Sequence, residues 1–490
     1  DRSVSRGLGD VYKRQHQDII VAPGKEYIPI HNRTRVIPGS ILDFSDLLDA
    51  PAGKYGFVRR SGTQFEFERR PGIPVRFQGA NACFRAACPP HHLADSIAGN
   101  FAAMGWNLLR LHHFDGMLSD PESSSPLAVH EQVFDRLDYL IAACKKRGIY
   151  LTLDLFTLRP PKKDEGIPGR TLTVNEFKAL CLLDGGVRES YKAFARLLLN
   201  HTNPYTGLKW KQEPAIAMIS QLNEDTVFHV VNSSGYVQER YEKEFERYLA
   251  KKRLKLTSDN HPRLRRKFLM EAYLRGYADL RRFCEEEGVR VPLTDQNFWG
   301  TLGVTLLRGE YDYADNHFYW QHPVFLDKKK PWQPPLWVTG ECAIANYAGG
   351  AGEMAPTRLL DRPFSISEWN HVYPNPCLIE GGFLMGAYGA LQDWSSICRF
   401  AWSHGGPNLD RAETPLNEFD IANDPMRQLS ERVAVLFFRR RDVQQAKTFY
   451  PLLLSRRHAD SDDLDTFPPA LHRLMLLGTT GTLLTEPTRH

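Results

Sequence analysis

From about residue 76 to about residue 412 the chain alternates short apolar runs with longer stretches at helical spacing. The apolar runs predict strands at Phe77–Asn81, Leu108–Leu111, Ile149–Leu155, Ile216–Leu222, Val291–Thr294, Tyr313–His317, Phe364–Glu368 and Phe400–Trp402. The best-marked unit is Val133–Leu155. Leu137, Leu140, Ile141 and Cys144 recur at helical spacing, Lys145, Lys146 and Arg147 suit the last turn, and Gly148 ends it. Ile149-Tyr150-Leu151-Thr152-Leu153 then reads as a buried strand. Strand–helix alternation repeated eight times predicts an α/β fold, a (β/α)8 TIM barrel of parallel strands over 76–412. An open doubly wound sheet has the same rhythm. It is disfavoured because no GxGxxG or GxxxxGK[ST] follows the first strand and because polar residues gather at strand ends.

The flanks depart from this rhythm. Residues 16–75 carry short alternations such as Phe65-Glu66-Phe67-Glu68 and read as an N-terminal lead-in with a small hairpin. Residues 413–490 hold an amphipathic helix at Asn423–Arg441 and a Pro-broken remainder that reads as a partial, strand-rich C-terminal module. Residues 1–15 carry charge without an apolar core and resemble a translated sequencing-adapter artefact of assembled metagenomic reading frames, so they are expected to be a non-native extension. On that expectation the compartment stays open: secreted or periplasmic if a leader is lost, cytoplasmic otherwise. Three insertions stand out: 158–175, rich in Pro, Gly and charge; 230–285, long, charged and helical; and 320–362, with Trp320, Trp332, Trp337 and a Gly-rich turn. Long loops in a compact domain are usually functional.

Composition narrows the function classes. Basic residues number 62 and acidic residues 58 in 490, a net charge of +4, too weak and dispersed to argue for a nucleic-acid partner. No stretch approaches the roughly 18 consecutive apolar residues of a membrane span. The eight cysteines show no CxxC pair and no zinc-ligand spacing, so buried free thiols are expected, leaning towards a reducing compartment. Nothing in the sequence calls for a metal or a cofactor, and the oligomeric state is not legible.

The candidate chemistry sits at the ends of predicted strands. Asn223 and Glu224 follow the fourth, and Glu368 ends the seventh. A carboxylate ending a buried strand does little for stability, because burying its charge costs several kcal/mol. In an eight-stranded barrel those two strands can face each other across the mouth. A facing pair, one protonated and one ionised, suits cleavage of a glycosidic bond, provided the surroundings push the two pKa values apart.

These residues resemble glycoside hydrolase clan A, the retaining β-glycosidases on a (β/α)8 barrel that include the family 5 cellulases and mannanases. The matching parts, in order, are Arg110 ending the second strand, Asn223-Glu224 the fourth, His317-Phe318-Tyr319 the sixth, Glu368 the seventh and Trp402 the eighth. The resemblance implies a carbohydrate substrate, Glu224 as general acid and then base, and Glu368 as nucleophile. It further implies that Asn223 bonds the sugar 2-hydroxyl, that Arg110 and Tyr319 hold Glu368, that His317 tunes Glu224, and that Trp402 forms an apolar floor. Less marked candidates are His112, His113 and Asp115 after the second strand, Asn81 ending the first, and Asp154 ending the third, which could line the pocket or pair with Arg110. Trp299, Trp320, Trp369 and Trp394 are candidates for subsites or core.

Three alternatives stay open. An exo-acting, β-galactosidase-like enzyme of the same clan would use the aromatic insertions to close a pocket. A metal-dependent barrel hydrolase needs clustered ligands, whereas the first strand ends Gly79-Ala80-Asn81 and His112-His113 are adjacent rather than alternating. A catalytically inactive sugar-binding barrel finds no support, since both carboxylates are present.

Overall fold

The computed structural model describes residues 36–330, 332–347, 349–411, 414–455 and 467–485. The extension expected at 1–15 and the first part of the lead-in lie outside the described residues. The lead-in forms a three-stranded antiparallel sheet, β1 (Val58–Ser61), β2 (Gln64–Phe67) and β3 (Arg70–Val75). The strands β4 (Phe77–Cys83), β5 (Leu108–His112), β6 (Tyr150–Asp154), β7 (Ile216–Ser220), β8 (Leu293–Thr294) and β9 (Ala314–Trp320) follow. After the two-residue strands β10 (Val324–Phe325) and β11 (Leu336–Trp337) come β12 (Phe364–His371) and β13 (Ser396–Ser403).

Eight of these form one parallel sheet in the order β8-β7-β6-β5-β4-β13-β12-β9. Its two ends meet through Asp312 N donating to Leu293 O at 3.1 Å and Thr294 Oγ1 donating to Tyr313 O at 2.8 Å. The result is a nearly closed (β/α)8 barrel. All eight predicted strands are present. β9 runs three residues further than expected, β13 starts four earlier, and β8 is reduced to Leu293–Thr294. Gly79 shows how tightly the strands are set, since a Cβ there would meet the Leu108 carbonyl oxygen at 1.7 Å.

The longer helices are α1 (His91–Met104), α2 (Glu131–Lys146), α3 (Val174–Leu183), α4 (Gly185–Asn200), α5 (Gly235–Lys252), α6 (His261–Glu286), α7 (Glu380–Leu391) and α8 (Pro425–Ala434). In α2 the apolar spacing is buried as expected, with Phe134, Leu137, Leu140, Ile141 and Cys144 turned inward. α3 starts at a capping box in which Thr173 and Glu176 satisfy each other's backbone N–H groups. The helix expected at Asn423–Arg441 is α8 followed by a wide turn over Val435–Arg439. Strands β14 (Phe449–Ser455) and β15 (Thr479–Thr485) pair in parallel, and β15 touches the barrel side through Thr482 and Leu359. Among the described residues no helix is long and apolar enough to cross a membrane.

Two expectations are corrected. Cys342 of the 320–362 insertion and Cys377, beyond β12, form a disulfide, so only Cys83, Cys88, Cys144, Cys181, Cys284 and Cys398 are free, all buried. The two partners are 35 residues apart, and the chain must fold back on itself before they meet. Trp402 is not at the barrel mouth. Its ring packs edge-on against Phe101 of α1 and Trp106, with centroids at 5.4 and 6.1 Å. The register of β13 against β4 shifts between Arg399 and Ser403, and Trp402, which the resemblance implied as an apolar floor, turns against the helix layer instead.

Candidate active site

Strand alternation sends Asn81 of β4, Arg110 and His112 of β5, Asp154 of β6, and Asp315, His317 and Tyr319 of β9 into the barrel. Arg110 is the hub, 1% exposed. Its Nη1 donates to Glu368 Oε1 at 2.7 Å and Asn81 Oδ1 at 3.1 Å, and its Nη2 to Asp154 Oδ1 at 3.1 Å and Asn223 Oδ1 at 2.9 Å. Asn81 spends its amide nitrogen on the carbonyls of Ser367 and Arg399, both at 3.0 Å, so it braces the hub from below.

Glu368 comes from an irregular piece of β12. The pairing register shifts between Ile366 and Glu368 on the β9 side and between Ile366 and Trp369 on the β13 side. Such a bulge lets consecutive residues both turn inward, and Ser367 and Glu368 do so. The Glu368 carboxylate receives Arg110 on Oε1 and the Tyr319 hydroxyl on Oε2 at 2.6 Å. His112 Nε2 is 3.2 Å from Oε1, outside good hydrogen-bond geometry, and His317 Nδ1 is 3.6 Å from Oε2. Burial alone would raise its pKa. The facing His317, Arg110 and His112 outweigh that and hold the carboxyl well below the usual carboxylate range.

Glu224 is placed differently. Its backbone is left-handed, φ 52°, a conformation that costs a non-glycine residue about 1–3 kcal/mol and clusters at functional sites. The turn is held by Glu224 N donating to Asn297 Oδ1 at 2.8 Å, and its neighbour Asp225 is bonded by Gln296. The Glu224 side chain is 37% exposed where that of Glu368 is 4%. One oxygen from each carboxylate and a ring nitrogen of His317 lie within 4.8 Å of one another. These three could surround a cation, but both Glu368 oxygens are already engaged by Arg110 and Tyr319.

The remaining expected residues fall around this pair. Asn223 Oδ1 accepts from Arg110 and from Asn297 Nδ2 at 3.1 Å, which leaves its amide nitrogen as the donor end. His112 Nδ1 meets Asp154 Oδ2 at 2.5 Å. Burial and Arg110 oppose a charge on His112, yet Asp154 and Glu368 prevail and raise its pKa. Burial likewise works against Asp154, but Arg110 and His112 lower its carboxyl. Burial and the adjacent His112 push His113 well below the ordinary histidine range, and its ring lies 3.6 Å from His112 and 4.8 Å from Phe84, centroid to centroid.

Asp115 is not a sugar-facing residue. Its carboxylate collects the backbone N–H groups of Thr157, Leu158 and Arg159 at 2.7–3.2 Å and so pins the 158–175 loop. Trp320, Trp369 and Trp394 are buried, whereas Trp299 is exposed beside His229.

Several residues of the site escaped the sequence reading. Phe400 is the β13 ring that faces the carboxylates, 6.0 Å from His112 and 5.8 Å from Tyr319. Asp315 could have been found by alternation, two residues before His317. Ser367, adjacent to Glu368, could not, because only the bulge turns it inward. Asn297 could have been sought three residues beyond the fifth strand. Lys178 of α3 is 3% exposed. Burial lowers its pKa while Glu224, Asp225, Asp115 and Asp154 act to raise it. No apolar–polar pattern marks it as belonging to the site.

Fold and rim together define a (β/α)8 barrel with a buried and a half-exposed carboxylate facing each other at the C-terminal mouth. No family model matches the chain. In sequence it is similar to mannan endo-1,4-beta-mannosidase 4 of Oryza sativa subsp. japonica, 30% identical over 182 residues, covering 34% of this chain and 38% of that protein. It is also similar to mannan endo-1,4-beta-mannosidase 5 of Arabidopsis thaliana, 26% identical over 199 residues, covering 37% and 44%. The matched region therefore spans about two fifths of the length of these curated relatives. Among solved structures, the endo-1,4-beta-mannanase from Rhizomucor miehei aligns at 13% identity and a TM-score of 0.48, covering 78% of this chain and 99% of that one. In sequence the chain is thus similar to mannan endo-1,4-beta-mannosidases over part of their length.

Proposed function

We propose that this protein is a retaining β-glycoside hydrolase that cleaves β-linked polysaccharide or oligosaccharide by double displacement. The observation that carries the reading is the unequal carboxylate pair: Glu368 buried and held ionised, Glu224 half-exposed, their nearest oxygens within 4.8 Å. Retaining enzymes place their two carboxyl groups about 5–5.5 Å apart, whereas inverting enzymes leave about 6.5–9.5 Å for a water.

In the first step Glu368 attacks the anomeric carbon while Glu224 protonates the leaving oxygen. The Glu368 ester forms as the glycosidic bond breaks. In the second step Glu224, now ionised, takes a proton from water, which displaces Glu368 from the sugar. Arg110 and Tyr319 hold Glu368 in line for attack. Asn223, with Oδ1 already engaged, offers its amide nitrogen to the sugar 2-hydroxyl. Mannan is the substrate in the names of the curated relatives, which favours β-1,4-linked mannose chains. A metal-dependent hydrolase is a poorer reading, since both Glu368 oxygens are committed to Arg110 and Tyr319 and both His317 nitrogens to Glu224 and Ser367.

The test is an assay of wild type and Glu368→Gln on aryl β-glycosides and β-mannans, with the anomeric configuration of the first product followed by NMR. Retention, and loss of turnover in the variant, are expected. Inversion would end the nucleophile assignment.

A further inference from the structure

Behind the carboxylate pair a hydrogen-bonded chain runs from a buried aspartate to Glu224. Ser367 N donates to Asp315 Oδ1 at 2.9 Å, and Ser367 Oγ donates to Asp315 Oδ2 at 2.5 Å. His317 Nε2 lies 2.9 Å from Ser367 Oγ, and His317 Nδ1 lies 3.1 Å from Glu224 Oε1. Asp315 and His317 are 1% and 4% exposed, and Ser367 is partly buried. No water is needed to complete the path.

We infer that Ser367 is a positioning residue: with Asp315 it fixes the protonated nitrogen of His317 as Nε2, and so keeps a proton between His317 Nδ1 and Glu224. This deepens the glycosidase reading and rests on it. A serine hydroxyl has one hydrogen. Asp315 receives it, together with the Ser367 backbone N–H, and two donors on one carboxylate favour its ionised form. Burial pushes the Asp315 carboxyl up, with His317 and Arg110 acting against that. Ser367 Oγ can then only accept from His317, so Nε2 carries a hydrogen. Nδ1 facing Glu224 is left with two choices. It is bare and accepts the proton of a protonated Glu224, or it is protonated in an imidazolium that donates to an ionised Glu224. Either way one proton lies between them, ready for the leaving oxygen. The other neutral tautomer, Nδ1–H with bare Nε2, also puts a proton between them, but giving that proton up would leave an imidazolate, and Ser367 disfavours this tautomer. The charged and titratable groups facing Glu224 besides His317 are Glu368, Lys178 and Tyr319. Those facing His317 are Glu224, Glu368 and Asp315.

The test uses Ser367→Ala, with Ser367→Thr as the conservative control that restores a hydroxyl. In imidazole 15N NMR, with the His317 signals assigned by their absence in His317→Gln, wild type and Ser367→Thr are expected to show protonated Nε2 at neutral pH. Ser367→Ala is expected to show a shift towards protonated Nδ1. In kinetics, losing one hydrogen bond that selects a protonation state is expected to move the alkaline limb of kcat/KM down by about one pH unit. The shift should be larger for poor than for good leaving groups, and Ser367→Thr should reverse it. Bare Nε2 in the wild type, or a tautomer unchanged in a folded Ser367→Ala, overturns the inference whether or not the protein turns over sugar. An inactive wild type with the expected tautomers overturns the glycosidase reading instead.

Discussion

The two ends of the barrel are built on opposite principles. At the end where the strands begin, Phe65 and Phe67 of β2 press onto Phe77, Tyr150 and Tyr313, with ring centroids 5.1–6.3 Å apart. That end is closed by aromatic packing and by the β1–β3 sheet. Towards the end where the strands finish, alternation buries Arg110, Asp154, His112 and His317, and the β12 bulge buries Glu368. Buried charges stabilise poorly and are tolerated only when each is paired and hydrogen-bonded. The comparison teaches a division of labour in which apolar area at one end holds the cylinder that keeps a costly polar rim in register at the other.

The sharpest way to break that contrast is Glu368→Gln. Turnover should fall on the order of 10⁴-fold or more, as expected when a nucleophile is removed, while circular dichroism and the melting curve show the fold retained. Phe65→Ala should do the reverse. Removing a fully buried ring costs about 3–5 kcal/mol, read as a lower denaturant midpoint, with kcat/KM of the folded fraction within about twofold of wild type. Comparable losses of activity in the two variants would mean that the ends are not separable.

Glu224→Ala refines the asymmetry within the rim. Rates on aryl glycosides with poor leaving groups should drop about 10²-fold more than on good ones, the range of general acid catalysis. Equal losses would remove Glu224 from the acid role.

The smallest effect is on stability against pH. Glu368 and Asp154 are held below their ordinary values, so their contribution is present above about pH 4–5, where the unfolded groups are ionised. It is lost as pH falls through the lower folded values. His112 is raised, so its contribution is present below about pH 6.5 and fades as pH climbs through the folded value. Asp315 is raised and works in the opposite sense to the other two carboxylates. The melting temperature is therefore expected to be highest near pH 5–6 and to decline on both sides. The acid-side decline should be shallower in Glu368→Gln.

Much of this was legible in the chain itself. Eight apolar runs announce eight strands because a strand buried on both faces must be nearly continuously hydrophobic, a constraint local to each run. Asn223, Glu224 and Glu368 stood out for the same reason, each a polar residue at the end of such a run, whereas Arg110, His317 and Tyr319 came forward only with the resemblance to clan A. What the tertiary structure alone decided depends on register and on chain crossings. The bulge at Ser367–Glu368 turns two neighbours inward, the shift in β13 puts Phe400 at the site and Trp402 against α1, and the folded-back insertion joins Cys342 to Cys377. Lys178 reaches the rim from a helix whose own pattern reads as ordinary. None of these leaves a local mark, because hydrogen-bond register and long-range contact are properties of pairs of segments, set only when the cylinder closes.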